Sequence, residues 1–221
     1  MDWQALKLSL ELAAVTLIVL LPAGVWLGRW LAYTDFRAKA WIEALVVLPL
    51  VLPPTVLGYY LLVSLGGASP LGRWVAQTFD LRLTFNFPGL VLASVVFNVP
   101  FLVQPVQRAF EAIPRQLGEA AAVSGLGAWQ TFLRVELPLA WPGVLSAMVL
   151  TFVHTLGEFG VVLMIGGSIP GETKTIAIAI YDRVQAFDLT GANRMALLLL
   201  VLSFGAVGAS LFASARLTAK R

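Results

Sequence analysis

Five long apolar runs, separated by shorter polar segments, dominate the pattern of this chain of 221 residues. A hydrocarbon core about 30 Å thick requires roughly 20 apolar residues in a helical span. Each run therefore predicts one transmembrane helix. The expected fold class is all-α, a polytopic membrane helix bundle in a single domain of residues 1–221. The predicted spans are residues 8–26, 42–65, 88–106, 139–165 and 195–215.

Three of the segments need a closer interpretation. The second run contains Pro49, Pro53 and Pro54, so its helix is expected to bend or break in the membrane, where neighbouring groups must satisfy the freed carbonyls. Residues 66–86 are predicted to be a polar external connection. Within residues 166–194, the apolar stretch IAIAIY is too short to span and is expected at the outer interface or packed on the bundle. A sixth crossing in this segment is the alternative.

Lysine and arginine residues indicate the orientation, because cytoplasmic loops carry an excess of them. Nine of the 15 such residues lie in segments that the five-span topology places on one side. Residues 110–138 and the C terminus are therefore predicted to be cytoplasmic. The nine are Arg29, Arg37, Lys39, Arg108, Arg115, Arg134, Arg216, Lys220 and Arg221.

Composition supports the membrane assignment and excludes several other classes. Hydrophobic residues make up 59% of the chain and charged residues 12%, which lies outside the range of soluble globular proteins. The absence of cysteine excludes disulfides and thiolate chemistry. The net charge of +3 sits mostly in loops and the tail, without a basic aromatic patch, so no nucleic acid partner is expected. Asp2 and Glu11 argue against a signal peptide, and the first run is expected to remain as a span.

A polar stretch interrupts the apolar pattern between the third and fourth spans. Residues 110–128 can form an amphipathic helix with Phe110, Ile113 and Leu117 on one face, and Gly125 and Gly127 are expected to end or turn it. On the residues alone, an interfacial helix on the cytoplasmic leaflet is favoured. Its other face nevertheless carries charges of both signs, which suits a protein partner better than anionic lipid.

The spacing of several residues in this stretch resembles the EAA loop of bacterial ABC-importer permeases. The resemblance implies a MetI-like permease architecture, in which residues 110–138 form a coupling loop that docks on a separate ATPase subunit. ATP and magnesium would then be bound by that partner, with no cofactor in this chain. Glu119 would offer a charge to the ATPase, the two alanines would permit close approach, and the first glycine would make the turn. The matching positions are Glu119, Ala120, Ala121, Gly125, Val135, Leu137 and Pro138.

Three further stretches are similar to molybdate-type permeases, which are related to the sulfate and thiosulfate permeases. They are VLPLVLPPTVLGYYLL (47–62), HTLGEFGVVLMIGGSIPGETKT (154–175) and AIYDRV (179–184). The resemblance implies import of molybdate across the bacterial inner membrane, with tungstate as a frequent companion and the sulfate branch as the nearest alternative. It also implies a periplasmic or extracellular oxyanion-binding protein as partner, and a homodimer of this chain.

Polar residues inside the spans are candidates for the translocation path or its gate: Asn98, Gln104, His154, Thr155 and Glu158. An ionisable residue in a span must face protein or water. One alternative is that His154 and Glu158 pair across one helical turn or lock helices together. Buried amides such as Asn98 also commonly join helices. Because like charges repel, Glu158 is not expected to be a ligand of the oxyanion.

Other functions find less support in the sequence. GGSIPGET (166–173) nearly matches a phosphate-binding loop, but Glu172 replaces the required lysine, so no nucleotide site is expected in this chain. An intramembrane enzyme using His154 and Glu158 would lack a nucleophile or a metal cluster. An ion-coupled secondary transporter would be expected to show inverted repeats, and the sequence contains none. Small residues spaced four apart in the last run, such as Gly205 and Ala209, favour close helix association.

Overall fold

The computed structural model describes residues 1–219, and within them every regular element is a helix. Lys220 and Arg221 of the predicted cytoplasmic tail lie outside the described residues. The helices are α1 (Trp3–Tyr33), α2 (Lys39–Val51), α3 (Pro54–Leu65), α4 (Pro70–Phe79), α5 (Phe87–Glu111), α6 (Arg115–Val123), α7 (Ala128–Thr131), α8 (Leu137–Gly157), α9 (Gly160–Gly166), α10 (Ile176–Gln185) and α11 (Leu189–Ala219). A π-helical turn, Phe132–Glu136, joins α7 to α8.

Four stretches of helix are long and apolar enough to cross a membrane, and a bent pair provides a fifth crossing. The four are Trp3–Tyr33, Phe87–Glu111, Ala128–Gly157 and Leu189–Ser214, and the bent pair is Lys39–Val51 with Pro54–Leu65. The predicted bundle of about five spans is therefore confirmed by length and composition. Each span begins before its predicted first residue, because the helices start in the polar segments that precede the apolar runs.

The predicted break in the second span lies at the paired prolines. Helices α2 and α3 meet at an angle of 105°. The N–H of Leu52 still donates to the carbonyl of Leu48 at 3.1 Å, and the Pro53 carbonyl accepts from Val56 at 2.9 Å. Pro53 and Pro54 have no N–H to donate to the carbonyls of Pro49 and Leu50, four residues earlier. The first helix therefore ends here, and a new one begins in another direction.

The predicted helix over residues 110–128 is wrong at its beginning. Phe110 belongs to the last turn of α5, and the chain breaks at residues 112–114 before α6 starts at Arg115. Pro114 explains the break, since its ring disfavours helical backbone at the preceding residue and it has no N–H to donate. The amphipathic element that remains, α6, has nine residues.

The fourth span also differs from its prediction. The helix starts at Ala128, inside the predicted coupling loop, and α8 ends at Gly157 rather than continuing to residue 165. Glu158 has extended backbone, and α9 resumes at Gly160. Glu158 therefore lies at a helix break and not within a continuous helix.

The segment before the last span packs on the bundle. This is one of the two placements predicted for it, the other being the outer interface. Helix α10 has 10 residues, so it is about 15 Å long and too short to cross. Ile176 and Ile178 are fully buried, and the Ile176 N–H donates to Ser9 Oγ of α1 at 2.8 Å. Residues 166–194 contain no sixth crossing in the described structure.

Helix α5 lies at the centre of the bundle and contacts α1, α2, α8 and α9. Its contact with α1 depends on two glycines. A Cβ at Gly24 would lie 2.5 Å from Leu102 Cδ2, and one at Gly28 would lie 2.8 Å from Val106 Cγ1 and 3.0 Å from the Gln107 backbone nitrogen. The absence of a side chain at these positions allows the two backbones to approach closely.

Gly28→Ala should destabilise the protein, because the added methyl group meets backbone atoms of α5 that cannot turn away. Overpacking of this kind costs about 1–3 kcal/mol. Thermal unfolding of the purified protein in detergent should shift downwards by several degrees. Gly208→Ala in α11 is the matched control, since nothing lies within 4 Å of a Cβ there. Equal unfolding temperatures for the two variants would contradict the proposed close packing.

Candidate translocation and coupling sites

Glu158 is buried, with 4% of its surface exposed, and is held by α5. Ser94 Oγ donates to Glu158 Oε2 at 3.0 Å, and Asn98 Nδ2 approaches the same oxygen at 3.3 Å. Oε1 has no hydrogen-bond partner among the described residues. The break between α8 and α9 thus places the Glu158 carboxylate against the middle of α5. There, Ser94 and Asn98, one helical turn apart, form hydrogen bonds to it.

Asn98 also connects Glu158 to His154. Its amide nitrogen donates to the Ser94 carbonyl at 2.8 Å, and its amide oxygen lies 3.0 Å from His154 Nδ1. Since the Asn98 oxygen can only accept, Nδ1 of His154 is the donor in this arrangement. The alternative of a direct His154–Glu158 pair is therefore wrong in this structure, whereas the locking of α5 to α8 is present through Asn98.

The His154 ring lies against two phenylalanines of α5. Its centroid is 3.6 Å from that of Phe101, with 25° between the planes, and 5.3 Å from that of Phe97. Thr155, the next candidate, is buried, and its hydroxyl donates to the Thr151 carbonyl at 2.8 Å. Asn98, His154, Thr155 and Glu158 thus belong to one region between α5 and α8.

Gln104 does not belong to this polar group. It borders a separate cavity of about 320 Å³ between α2 and α5, close to the end of the bundle where α6 lies. The neighbouring Gln107 donates through Nε2 to Glu43 and to Glu111, at 2.8 Å each. The structure therefore divides the predicted path residues between the middle of α5 and one end of it.

Helix α6, the predicted coupling element, ends at a turn made by Gly125, as expected from the sequence. Gly125 has a φ of +81°, the left-handed backbone that a side chain disfavours. Its N–H donates to the Ala122 carbonyl, and the N–H of Leu126 donates to the Ala121 carbonyl, both at 3.0 Å. These two bonds form a Schellman motif, which satisfies the last carbonyls of α6 and turns the chain towards α7.

The alanines of the coupling motif differ in environment. Ala121 is 6% exposed and packs inside the chain, whereas Glu119 and Ala120 are exposed. Leu117, which belongs to the predicted apolar face, is 41% exposed, and Val123, which that face did not include, is 91% exposed. Positions 117, 120 and 123 recur every three residues, so α6 presents a small apolar surface beside Glu119.

The end of the coupling motif forms a π-helical turn. Leu137 donates from its N–H to the Phe132 carbonyl, five residues earlier. Pro138 follows in the first turn of α8, and in a regular helix its ring would clash with the carbonyl four residues before it. The wider π turn accommodates the proline, and the same turn contains Glu136, which is 7% exposed.

Glu136 binds Arg29 of α1 through both of its carboxylate oxygens. Arg29 Nε lies 2.5 Å from Oε2, and Nη2 lies 3.1 Å from Oε1. The guanidinium also lies over the rings of Tyr33 and Phe132, at 5.5 and 5.3 Å from their centroids. This bidentate pair joins α1 directly to the segment after α6. Sequence reasoning missed it, because the two residues are 107 positions apart and no local pattern links them.

Comparison with known proteins identifies the family. The family described as "Binding-protein-dependent transport system inner membrane component" matches residues 21–221. The chain belongs to this family. It is therefore a membrane component of a binding-protein-dependent transporter, consistent with its bundle of apolar helices.

Relatives in this family include named molybdenum and sulfate permeases. The chain is 50% identical over 204 residues to the molybdenum transport system permease protein ModB of Azotobacter vinelandii, covering 92% of this chain and 90% of that protein. It is 36% identical over 203 residues to the ModB protein of Escherichia coli K12, covering 91% and 89%. Identity to the sulfate transport system permease protein CysT of the same strain is 33% over 201 residues, covering 90% and 72%.

Solved transporters share the fold of this permease-family chain. A bacterial ABC transporter that imports the acidic polysaccharide alginate matches with a TM-score of 0.78 at 17% identity, covering 96% of this chain and 78% of that one. The MetNI methionine ABC transporter in an inward-facing conformation matches with a TM-score of 0.69 at 19% identity, covering 98% and 94%. The predicted MetI-like architecture is confirmed by these matches.

Asn98→Leu should destabilise the protein by about 1–3 kcal/mol, because it removes a shared partner of His154 and Glu158 in a buried region. Gln104→Leu is the control, since Gln104 is half-buried and outside this polar group. We expect the control to change the free energy of unfolding by less than about 0.5 kcal/mol. Chemical denaturation of both variants in micelles provides the measurement, and equal losses would contradict the role of Asn98 as a joint between α5 and α8.

Arg29→Met and Glu136→Leu should each cost about 1–3 kcal/mol, because either change leaves the other charge without its partner in a largely buried place. The double variant should lose less than the sum of the two single losses. Measured by denaturation, the double-mutant cycle should give an interaction energy of at least about 1 kcal/mol. Additive losses would show that the ion pair contributes nothing to the contact between α1 and the π turn.

Proposed function

We propose that this chain is the permease subunit of an ATP-driven importer of molybdate. The substrate assignment rests on the 50% identity to a molybdenum permease over 92% of the chain, compared with 33% identity to a sulfate permease. Sulfate, thiosulfate and tungstate are the alternative oxyanions. Two copies of the chain would enclose the path, and a binding protein would deliver the oxyanion from outside.

Coupling to a separate ATPase subunit is assigned to α6. Its exposed surface combines Glu119 with the apolar side chains of Leu117 and Val123, which suits insertion into a groove of a partner chain. Gly125 ends the helix in a compact turn, so α6 is short and sharply bounded. ATP and magnesium would be bound by the partner, with this end of the bundle and the C terminus in the cytoplasm.

Movement of α6 would reach the spans by two routes. The π turn and α8 continue from the coupling segment, and the Arg29–Glu136 pair connects that segment to α1. Both routes lead to helices that pack on α5. We assign the polar group of Asn98, His154, Thr155 and Glu158 to the path or its gate, and Gln104 to its cytoplasmic end.

The enzyme alternative is not favoured by this geometry. An acid–base pair of His154 and Glu158 would require direct contact or one bridging water, whereas Asn98 separates the two side chains here. The intramembrane polar group is better suited to a joint between helices that rearranges during transport than to bond cleavage.

Proteoliposomes containing this chain, its ATPase and the binding protein should take up labelled molybdate only when ATP is supplied. A large excess of sulfate should leave this uptake unchanged. Val123→Asp should abolish uptake and weaken co-purification of the ATPase by at least tenfold, because a charge replaces the most exposed apolar side chain of α6. Thr190→Asp, an exposed change at the start of α11 at the other end of the bundle, is the control and should retain both properties.

Three results would contradict parts of this proposal. Uptake abolished by sulfate, with ATP dependence retained, would move the substrate to the sulfate branch. Normal uptake by Val123→Asp would remove α6 from the coupling role. An intact complex with the ATPase that takes up no oxyanion in the presence of ATP would overturn the proposed function as a whole.

A further inference from the structure

Two arginines border one cavity at the end of the bundle opposite α6, which we call the outer end. The cavity has a volume of about 360 Å³ and lies between the end of α3, helix α4 and the loop that follows it. Arg73 comes from α4 and Arg82 from the loop, and Thr84 is the other polar side chain in the lining. Both arginines are exposed.

Three other cations at the outer end have carboxylate partners, whereas these two have none among the described residues. Among the described residues, the side chains of Arg73 and Arg82 take part in no ion pair or hydrogen bond. By contrast, Asp188 accepts hydrogen bonds from the Gly191 N–H and from Arg183, and these contacts lower the pKa of its carboxyl. The ion pairs at this end are Lys7–Glu11 at 3.6 Å, Lys174–Asp182 at 2.7 Å and Arg183–Asp188. Two free positive charges are therefore concentrated at one cavity.

The backbone around this cavity is held in place by several contacts. A Cβ at Gly72 would lie 2.2 Å from the Gly66 carbonyl oxygen, so α4 packs very closely on the end of α3. Ser69 Oγ accepts from the Gly72 N–H at 2.8 Å and caps α4. On the other side, Asn86 Nδ2 donates to the Arg82 carbonyl, and its Oδ1 accepts from the Gly89 N–H at 3.0 Å. Both arginines thus extend from a fixed backbone.

Exposed aromatic side chains lie close to the arginines in the chain. Trp74 directly follows Arg73 and is 56% exposed, and Phe85 is three residues beyond Arg82 and 50% exposed. Phe85 has a φ of +58°, which is uncommon for a bulky residue, and its N–H donates to the Ile165 carbonyl at 2.8 Å. A left-handed backbone that is kept at an exposed aromatic residue is a feature often found at functional positions.

We infer that Arg73 and Arg82, with Trp74 and Phe85, form a docking surface for an acidic patch on the substrate-binding protein. This inference rests on the proposed function, which places that protein at the outer end. Arginine and aromatic residues are enriched at protein interfaces, and two unpaired guanidinium groups complement surface carboxylates. Anionic lipid is less favoured, because lipid-binding clusters contain about four to eight cations and this site has two.

The test uses the complete transporter in nanodiscs and the purified, oxyanion-loaded binding protein. The double variant Arg73→Gln with Arg82→Gln should associate roughly tenfold more slowly at low salt, because rim charges act mainly on the association rate. The decrease of the wild-type rate with rising salt should be much weaker in the variant. Basal ATP hydrolysis should be unchanged, which shows that the variant is folded and coupled to its ATPase.

Arg194→Gln is the matched control, since Arg194 is an exposed arginine near the start of α11 and outside the cavity. It should associate at the wild-type rate. Equal association rates for the wild type and the double variant would overturn the docking surface. It would also be overturned if the double variant differed from the wild type only in being less stabilised by anionic lipid. A wild-type transporter that does not bind the loaded binding protein at all would instead contradict the proposed function.

Discussion

Lipid offers no hydrogen-bond partner to a backbone group, and the structure of this chain depends on how it meets that constraint. Its spans are not all continuous helices, so each break must satisfy its own carbonyls and N–H groups. At Pro53 and Pro54, which have no N–H to continue the helix, the chain bends by 105° between two half-helices. At Glu158 the backbone becomes extended, and the carboxylate is received by Ser94 and Asn98 of α5. The irregular backbone at Glu158 thus lies where side chains of a neighbouring helix contact it.

Helix α5 provides most of these compensating contacts, which explains its central position. One side packs against glycines of α1, and another donates to the carboxylate at the α8–α9 break. Its last turn supplies Gln107, which joins Glu43 of α2 to Glu111. A displacement of α1 or α8 must therefore be transmitted to α5 or must break these contacts. This arrangement is suited to a transport component, in which several spans have to move together.

Residues 115–138, which include the predicted coupling motif, show how one short motif acts on both local and distant structure. Gly125 ends α6 in a Schellman motif, and Pro138 is accommodated by a π turn in the following helix. That turn contains Glu136, and the bidentate contact with Arg29 connects it to α1. The motif thus gives α6 defined ends and attaches the segment after it to the bundle. Meanwhile the exposed face of α6 keeps Glu119 and Val123 available to a partner.

The sequence by itself determined the features that depend on composition and local backbone chemistry. Apolar run lengths indicated five spans, the paired prolines indicated the break, and the left-handed turn at Gly125 followed from the properties of glycine. Even so, the local effect of Pro114 was overlooked, and the helix predicted from Phe110 was too long. Only the tertiary structure decided which distant side chains meet. Asn98 stands between His154 and Glu158, Ala121 faces inward while Ala120 is exposed, and Arg29 binds Glu136 across 107 positions. Periodicity describes one helix at a time, whereas such contacts depend on how helices are placed against each other, and this is decided by packing of the whole bundle.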